Sequence, residues 1–373
     1  MSEYFFGLNY SLLIQLGFYS VLTFALLFNK VKEHYLLLLI LIYLKFGAVF
    51  LIFSSLDLSS WLKIDDIAYF NISKELLSQG YGLFSSETFE RLIYLNGGIH
   101  IMYSWINMLL HSIFGIHYFA SVFFNVFLTF ICGALLYDIS LKITGMTKYS
   151  LGLFIFFCLH WDILTWSSFL NLKDIFVLLL TLAFFWVIIC RLSIKPVSSL
   201  LALLLISILF YWTRFYIPLF VGISYAIYLI KPKPSFFLRV LSLSIFLFAF
   251  VNYLGFDSLK YFLAKLRLGG DIFFGVSRFL LTPLPWKIED SYIFLIFSSC
   301  LHFVFLLPAA IGSIQLTSKY REVYLLSIFF VICLLVYGSL PELQGPRHRI
   351  QISFMIIWFQ YHSIFSFLRK SYA

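Results

Sequence analysis

The chain has 373 residues, of which 62% are hydrophobic and only 12% are charged. A typical soluble domain is about 45–50% apolar and about 25% charged. A water-soluble globule cannot bury this much apolar surface, so the composition excludes a cytosolic enzyme and a disordered scaffold. At about 20 residues per membrane-spanning helix, the length accommodates about ten or eleven spans and one or two long loops.

The net charge of +9 comes from 26 basic residues that are scattered among the apolar segments. They form no basic domain, and membrane orientation accounts for many of them, so we expect no nucleic acid among the partners. The five cysteines lie inside apolar runs without metal-ligand spacing, which indicates packing roles. The sequence therefore predicts an all-α polytopic membrane protein.

Apolar windows between charged breaks predict a single transmembrane domain over 1–373 with about eleven spans. The windows lie near 8–29, 35–55, 118–140, 149–168, 172–192, 198–213, 216–230, 237–255, 291–312, 323–340 and 349–367. One further apolar run, 98–115, would break the alternation of loop charge if it crossed the membrane. We predict it as an amphipathic helix that lies in the membrane interface.

Six short connections on one side of the predicted bundle contain 13 Lys and Arg residues and few acidic ones, which makes them cytoplasmic by the positive-inside rule. The opposite side has two long loops, 56–117 and 256–290, that contain acidic and basic residues together. We expect these outer loops to cap an active site for a polar, anionic, lipid-borne substrate. The expected location is the plasma (inner) membrane, with the site facing the periplasm or the extracellular side.

The first candidate motif is the adjacent pair Asp65 and Asp66 in WLKIDDIAYF, shortly after the second span. A carboxylate there can take a proton from an acceptor hydroxyl, or bind a divalent cation that faces a phosphate. The structural alternative is a helix that begins at this pair, since acidic residues stabilise a first turn. The segment IAYFNISKELLSQ is compatible with such a helix.

The next candidates lie at the predicted outer ends of later spans. Lys173 and Asp174 in NLKD begin a long apolar run, where the lysine can hold a phosphate or extend along the membrane surface while Asp174 caps the helix. Asp162 lies on the same outer rim. Arg214 separates two apolar runs, and a charge at membrane depth is a functional candidate that normally has a partner.

Two further motifs follow in the last third of the chain. The segment RFLLTPLPW contains Arg278 and an interfacial Trp286, and its two prolines exclude a regular helix there. Arg347, His348 and Arg349 open the last predicted span on the outer side, against the orientation rule. This unusual position favours an anionic partner such as a lipid phosphate or pyrophosphate.

Several common catalytic patterns do not occur in the sequence. It has no Walker loop, GxGxxG or GxSxG motif, which argues against nucleotide-driven transport and serine hydrolysis. The histidines show no metal-ligand spacing such as HExxH. A divalent cation, Mg²⁺ or Mn²⁺, at Asp65 and Asp66 stays an open alternative, and no motif requires any other cofactor.

The acidic pair followed by a tyrosine, Asp65-Asp66-Ile-Ala-Tyr69, resembles the first outer loop of the GT-C superfamily of membrane glycosyltransferases. The similar groups are the protein O-mannosyltransferases and the aminoarabinose-transferase-like enzymes. The run IMYSWINMLLHSIFGIHYFASVFFN resembles the amphipathic helix that follows this loop. The NLKD, RFLLTPLPW and RHR motifs resemble elements of smaller bacterial relatives.

The resemblance implies that a sugar passes from a polyprenyl-phosphate donor to a glycan, lipid or protein acceptor on the outer face. It implies that Asp65 first, or Asp66 second, is the catalytic base. The basic residues would hold the donor phosphate, with Tyr69, Asp162, Asp174 and Trp286 in support. One departure is that the second acid is Asp, where the family more usually has Glu, so the choice of base stays open.

Two other functions fit part of the pattern. A polysaccharide repeat-unit polymerase or ligase, such as one for O-antigen, would use the same outer arginines with a lipid-pyrophosphate-linked oligosaccharide. A transporter or flippase for lipid-linked sugars would need broken helices at the midplane and paired halves. No motif in the sequence specifies the sugar or the acceptor.

Overall fold

The computed structural model of the chain describes residues 10–55, 64–98, 100–229, 272–288, 290–340 and 345–371. The span predicted near 237–255 lies outside the described residues. So do 56–63 of the first predicted outer loop, 256–271 and 289 of the second, and 341–344. In the described residues, all of the regular secondary structure is helical, which confirms the predicted class of helical membrane protein.

The chain divides into two compact units. Ten helices belong to the first unit, apart from the last turn of α6. They are α1 Tyr10–Leu27, α2 Tyr35–Ser55, α3 Ile64–Ser78, α4 Ser86–Leu95, α5 Ile101–Phe114, α6 Tyr118–Thr144, α7 Thr147–Leu159, α8 Trp161–Ser168, α9 Asp174–Trp186 and α10 Pro196–Arg214.

The second unit contains the helices that follow, except that residues 290–298 belong to the first. These helices are α11 Ile217–Leu229, α12 Ile272–Leu281, α13 Ile296–Val304, α14 Leu306–Lys319, α15 Arg321–Ser339, α16 Pro346–Arg349 and α17 Ser353–Ser371. Within this unit α15 packs against α11 and α12, and α14 packs against α17.

Among the described residues, six helices are long and apolar enough to cross a membrane, or eight if each of two bent helix pairs is one span. One of the six is α9 together with the π-helical turn Val187–Arg191 that continues it. These eight coincide with eight of the eleven predicted windows. One bent pair is α7 with α8, which meet at His160 at an angle of 46°. A multi-pass membrane protein is thus supported, and the count of eleven is not confirmed.

Three predicted windows are not among these eight. The window 237–255 lies outside the described residues. In the window 216–230, helix α11 covers Ile217–Leu229, and residues 230–271 are not described. The window 349–367 begins with a 3₁₀ turn at Ile350–Ile352, and α17 covers its remainder. The run 98–115 forms the 14-residue helix α5, about 21 Å long at 1.5 Å per residue and shorter than the roughly 30 Å hydrocarbon core.

Helix α6 is the centre of the first unit. Its apolar window is 83% buried, whereas that of the peripheral helix α10 is 17% buried. At one end of α6, Asp138 accepts hydrogen bonds from Lys30 at 2.5 Å and from Trp186 at 3.1 Å. Further along the same helix, Thr129 accepts a hydrogen bond from the buried Lys45 of α2. These contacts fix α2, α9 and the segment after α1 around α6.

Candidate functional site

Three short helices, α3 to α5, separate the second span from α6. Asp65 and Asp66 lie in the first turn of α3, where the helix dipole stabilises negative charge. Ser85 caps α4 by accepting a hydrogen bond from the backbone N–H of Thr88 at 3.2 Å. The three helices enclose a small apolar core, formed by Leu76, Leu92, Ile101 and Met108. This core packs α3, whose first turn contains the predicted acidic pair, against α4 and α5.

The two predicted acids differ in their surroundings. Asp66 is fully buried, and its Oδ2 accepts a hydrogen bond from the Tyr118 hydroxyl at 2.7 Å. The Tyr118 oxygen in turn accepts one from the backbone N–H of Asn171 at 3.0 Å. Asp65, by contrast, is half-buried. Asp66 therefore links α3 to α6 and to the segment before α9, while Asp65 lies nearer the surface.

An amide network lies beside Asp66, formed by residues for which the sequence predicted no role. Asn171 donates from Nδ2 to Asn107 Oδ1 at 2.6 Å, and its own Oδ1 accepts from the Tyr103 hydroxyl at 2.9 Å. Asn125 donates to the Tyr103 hydroxyl at 3.0 Å and to the Leu172 carbonyl at 3.1 Å. Burial holds the pKa of Tyr103 well above its ordinary value, so its hydroxyl stays protonated and donates.

Lys173 is the first predicted phosphate ligand that the structure brings to this network. It is only 2% exposed, and its Nζ donates to the Tyr69 hydroxyl at 2.9 Å. The Tyr69 ring packs edge-on against Tyr103, with 5.1 Å between the ring centroids. Two of the predicted residues, Lys173 and Tyr69, thus contact each other directly, one turn of α3 away from the acidic pair.

Asp174 and Arg214 form a buried ion pair. An Nη2 of Arg214 lies 3.2 Å from Asp174 Oδ1, and both side chains are less than a tenth exposed. Asp174 is in the first turn of α9 and Arg214 in the last turn of α10, so each charge also suits the dipole of its helix. A charge at membrane depth normally has a partner, and for Arg214 that partner is Asp174.

His100 joins this cluster although no sequence motif predicted a role for it. It has φ +66°, the only described non-glycine residue in the left-handed region, and it precedes α5 directly. Its Nδ1–H donates to the Thr213 carbonyl at 2.8 Å, because a carbonyl oxygen can only accept. Burial, together with the nearby cations Lys173 and Arg214, lowers the pKa of His100 to about 3, so the ring is neutral at pH 7.

The remaining predicted site residues lie partly in the first unit and partly in the second. Asp162 is buried near the start of α8. In the second unit, Arg278 and Trp286 are exposed, and His348 is buried. Their predicted contact with a donor phosphate stays a prediction.

Arg349 has a clear structural partner within the second unit. Its Nη1 donates to the carbonyls of Leu280 at 3.0 Å and Thr282 at 2.6 Å, at and beyond the end of α12. A cation at a helix C-terminus satisfies carbonyls that have no partner within the helix. This contact stabilises the turn within the RFLLTPLPW segment, whose first four residues form the end of α12 and whose prolines lie beyond the helix. Arg347 lies half-buried in α16 two residues earlier.

The donors around the acidic pair do not fit a divalent cation held by the protein alone. In the described part of the chain, no three His, Cys, Asp or Glu residues gather in a group that could hold a metal ion. One oxygen of Asp66 already accepts the Tyr118 hydroxyl, whereas Mg²⁺ takes carboxylate oxygens and several waters. A divalent cation shared between the acidic pair and a donor phosphate stays a prediction.

No protein-family model, curated protein or solved structure matches this chain. The functional conclusion accordingly depends on the contacts of the first unit. The charged and hydrogen-bonding residues that gather there are called the polar cluster: Asp65, Asp66, Tyr69, His100, Lys173, Asp174 and Arg214.

Proposed function

We propose that the protein is a membrane glycosyltransferase that moves a sugar from a polyprenyl-phosphate donor to an acceptor on the extracytoplasmic face. The observation that supports this most strongly is the convergence of the first-loop acids with buried cations. Asp66 is linked through Tyr118 to Asn171, and Tyr69 of the same helix contacts Lys173. An acid and a cation in one cluster are the two groups that such a transfer needs.

In this reaction Asp65 removes the proton from the acceptor hydroxyl as its oxygen attacks the anomeric carbon of the sugar. The bond between the sugar and the phosphate oxygen breaks, and polyprenyl phosphate leaves with the electron pair. Asp65 suits this role because it is half-buried, while Asp66 is enclosed and hydrogen-bonded to Tyr118. A positioned base typically contributes about 10²–10⁴-fold to the rate.

Lys173 and Arg214 would stabilise the charge of the departing phosphate. Both are nearly excluded from water, and electrostatic interactions are stronger at low dielectric than in bulk solvent. Arg214 is held by its ion pair with Asp174, and Lys173 by its hydrogen bond to Tyr69. These two cations are the groups proposed to face the donor phosphate. A further set of phosphate ligands, proposed from the sequence alone, lies in the second unit: Arg278, Arg347, His348 and Arg349.

The test is sugar transfer by the purified chain in liposomes that contain radiolabelled polyprenyl-phosphate sugars, with release of polyprenyl phosphate as the readout. Asp65→Asn is expected to slow transfer by about 10²–10⁴-fold, because the base is lost and the shape is kept. Glu75→Gln, at an exposed acid of the same helix, is the matched control. Full transfer by the Asp65→Asn protein would rule out the assignment of the base.

A further inference from the structure

His100 in the first unit has a ring nitrogen that is free to accept a hydrogen bond. Its Nδ1–H donates to the Thr213 carbonyl at 2.8 Å, which leaves the lone pair of the neutral ring on Nε2. In the described part of the chain, no group donates to Nε2. The ring is partly exposed, and Nε2 is not enclosed. His100 therefore presents an acceptor of fixed orientation that a ligand can reach.

The hydrogen bond to Thr213 does not by itself require a histidine. Thr213 lies in the last turn of α10, where the carbonyls have no partner within the helix, so any side-chain donor could cap it. His100 has φ +66°, and Gly97 and Gly98 just before it have φ +59° and +78°. Glycine and asparagine adopt this region more readily than histidine, and an asparagine amide could supply the same donor. What histidine adds at this position is Nε2.

The surroundings of the ring keep this nitrogen unprotonated. Burial, and then the charges of Lys173 and Arg214, lower the pKa of His100 to about 3, although the Thr213 carbonyl and Asp174 act in the opposite direction. Nε2 is therefore an acceptor at neutral pH. A group that takes up a proton so reluctantly is a weak general base, which favours a role in binding over a role in proton removal.

A neutral acceptor beside two cations suits a ligand in which a hydroxyl lies next to an anionic group. The carbonyl that fixes the ring belongs to the residue directly before Arg214, one of the two cations proposed to face the donor phosphate. We propose that His100 Nε2 accepts a hydrogen bond from the sugar hydroxyl on C2, the carbon next to the one that bears the phosphate. The inference rests on the proposed function and assigns it a residue that determines specificity.

This hydroxyl is also one whose recognition affects the reaction. Hydrogen bonds to the hydroxyl on C2 strengthen in the transition state when a bond at the anomeric carbon breaks. The same contact would make the chain selective for sugars with a free C2 hydroxyl and would discriminate against 2-deoxy sugars. Nucleophilic attack and proton removal stay with the acceptor and Asp65.

Access to Nε2 can be tested without sugar transfer. Diethyl pyrocarbonate modifies unprotonated, accessible imidazole nitrogens, and peptide mass spectrometry locates the modified residue. In the full chain in phosphatidylcholine nanodiscs, His100 should be modified, as should the exposed His34, whereas His111, 2% exposed, should be protected. Failure of His100 to react under conditions that modify His34 would overturn the inference.

Matched donors test the hydroxyl itself. Wild type is titrated with the farnesyl phosphates of glucose, mannose and galactose, and the tightest of these is compared with its own 2-deoxy and 6-deoxy forms. The 2-deoxy form should bind about tenfold more weakly to wild type, as expected when a polar group of the site loses its hydrogen-bond partner. Equal binding of the parent and the 2-deoxy form by wild type would overturn the inference and needs no variant.

His100→Asn removes Nε2 and keeps the other features of the position. Asparagine tolerates the left-handed backbone and can donate to the Thr213 carbonyl. The variant should bind the parent and the 2-deoxy form about equally, while the effect of the 6-deoxy change stays as in wild type. His34→Gln, the control, should keep the wild-type ratio. A purely structural role of His100 would weaken all three donors alike and leave the 2-deoxy ratio unchanged, which would contradict the inference.

The proposed function and the role of His100 can fail separately. Binding with the expected dependence on the C2 hydroxyl, but without sugar transfer, would remove only the proposed reaction. Transfer with the same 2-deoxy effect in wild type and His100→Asn would remove only the role of His100. Absence of binding for all three parent donors would contradict both.

Discussion

At the scale of single residues, the ion pair of Asp174 and Arg214 is the contact with the largest expected effect on stability. Both side chains are almost fully enclosed and 3.2 Å apart. Removal of one partner from a buried pair leaves an uncompensated charge in a medium of low dielectric, which is far more costly than loss of both charges.

We therefore expect Arg214→Gln to destabilise the protein by about 3–5 kcal/mol. Asp174→Asn combined with Arg214→Gln should recover much of that loss, because neither charge then remains. Denaturant unfolding in detergent micelles measures the free energy of unfolding of the single and the double variant. Glu75→Gln, at an exposed carboxylate, is the control. A double variant as unstable as Arg214→Gln alone would show that the two charges are not coupled.

His100 should make the protein sensitive to acid. An unfolded histidine takes up a proton as the pH falls through about 6.5, whereas His100 in the folded chain does so only near pH 3. Between these values unfolding takes up a proton, so stability falls as the pH falls and the loss is complete below about pH 3. Lysine and arginine near the ring oppose its charge.

His100→Asn should reduce this acid sensitivity. Asparagine tolerates the left-handed backbone at φ +66° and can still donate to the Thr213 carbonyl. We expect its melting temperature to fall less than that of the wild type between pH 7 and pH 4. His34→Gln is the control, because it shows whether replacing any histidine reduces the acid sensitivity. If the melting temperatures of wild type and His100→Asn fell equally between pH 7 and pH 4, this would contradict a neutral, enclosed His100.

The sequence predicted only the members of the polar cluster that stand out locally. Asp65, Lys173 and Arg214 are charges beside apolar runs, and such positions are unusual enough to be noticed. Asn107 and Asn171 are uncharged, and their hydrogen bond joins residues 64 positions apart. No local pattern encodes such a pairing, because it depends on how α5 packs beside the segment before α9. Asparagines within or directly beside apolar runs are the one signal that could have indicated it.

At the scale of helices, close packing in the second unit depends on a glycine. An ideal Cβ at Gly312 of α14 would collide with the carbonyl of Phe359 in α17. Small residues permit this approach between membrane helices, and a backbone neighbour cannot rotate away as a side chain can. The pairing of α14 and α17 therefore requires Gly312.

Gly312→Ala should destabilise the protein by about 1–3 kcal/mol, the usual cost of overpacking. Gly17→Ala is the matched control, because nothing lies within 4 Å of its added methyl group and alanine favours a helix interior. It should be neutral or slightly stabilising. Thermal unfolding of both variants in the same detergent gives the comparison. Equal stability of the two would mean that α14 and α17 are not in this close contact.

At the scale of the whole molecule, hydropathy predicted eleven spans, and that count is not confirmed. Eight windows coincide with helices or bent helix pairs that could cross a membrane. Hydropathy cannot report that α7 and α8 are bent at His160. It also cannot report whether an apolar helix faces lipid or protein. Helix α5 is apolar, yet most of it is buried against its neighbours.

The central claim is that the polar cluster transfers a sugar from a polyprenyl phosphate. It is tested most directly by mass analysis of surface glycans and lipid-linked intermediates in cells without the gene, complemented with wild type, Asp65→Asn or Glu75→Gln. We predict that a polyprenyl-phosphate sugar accumulates and one glycan is lost without the gene. Wild type and Glu75→Gln should restore that glycan, and Asp65→Asn should not. Unchanged glycans and intermediates without the gene, or full restoration by Asp65→Asn, would contradict the account.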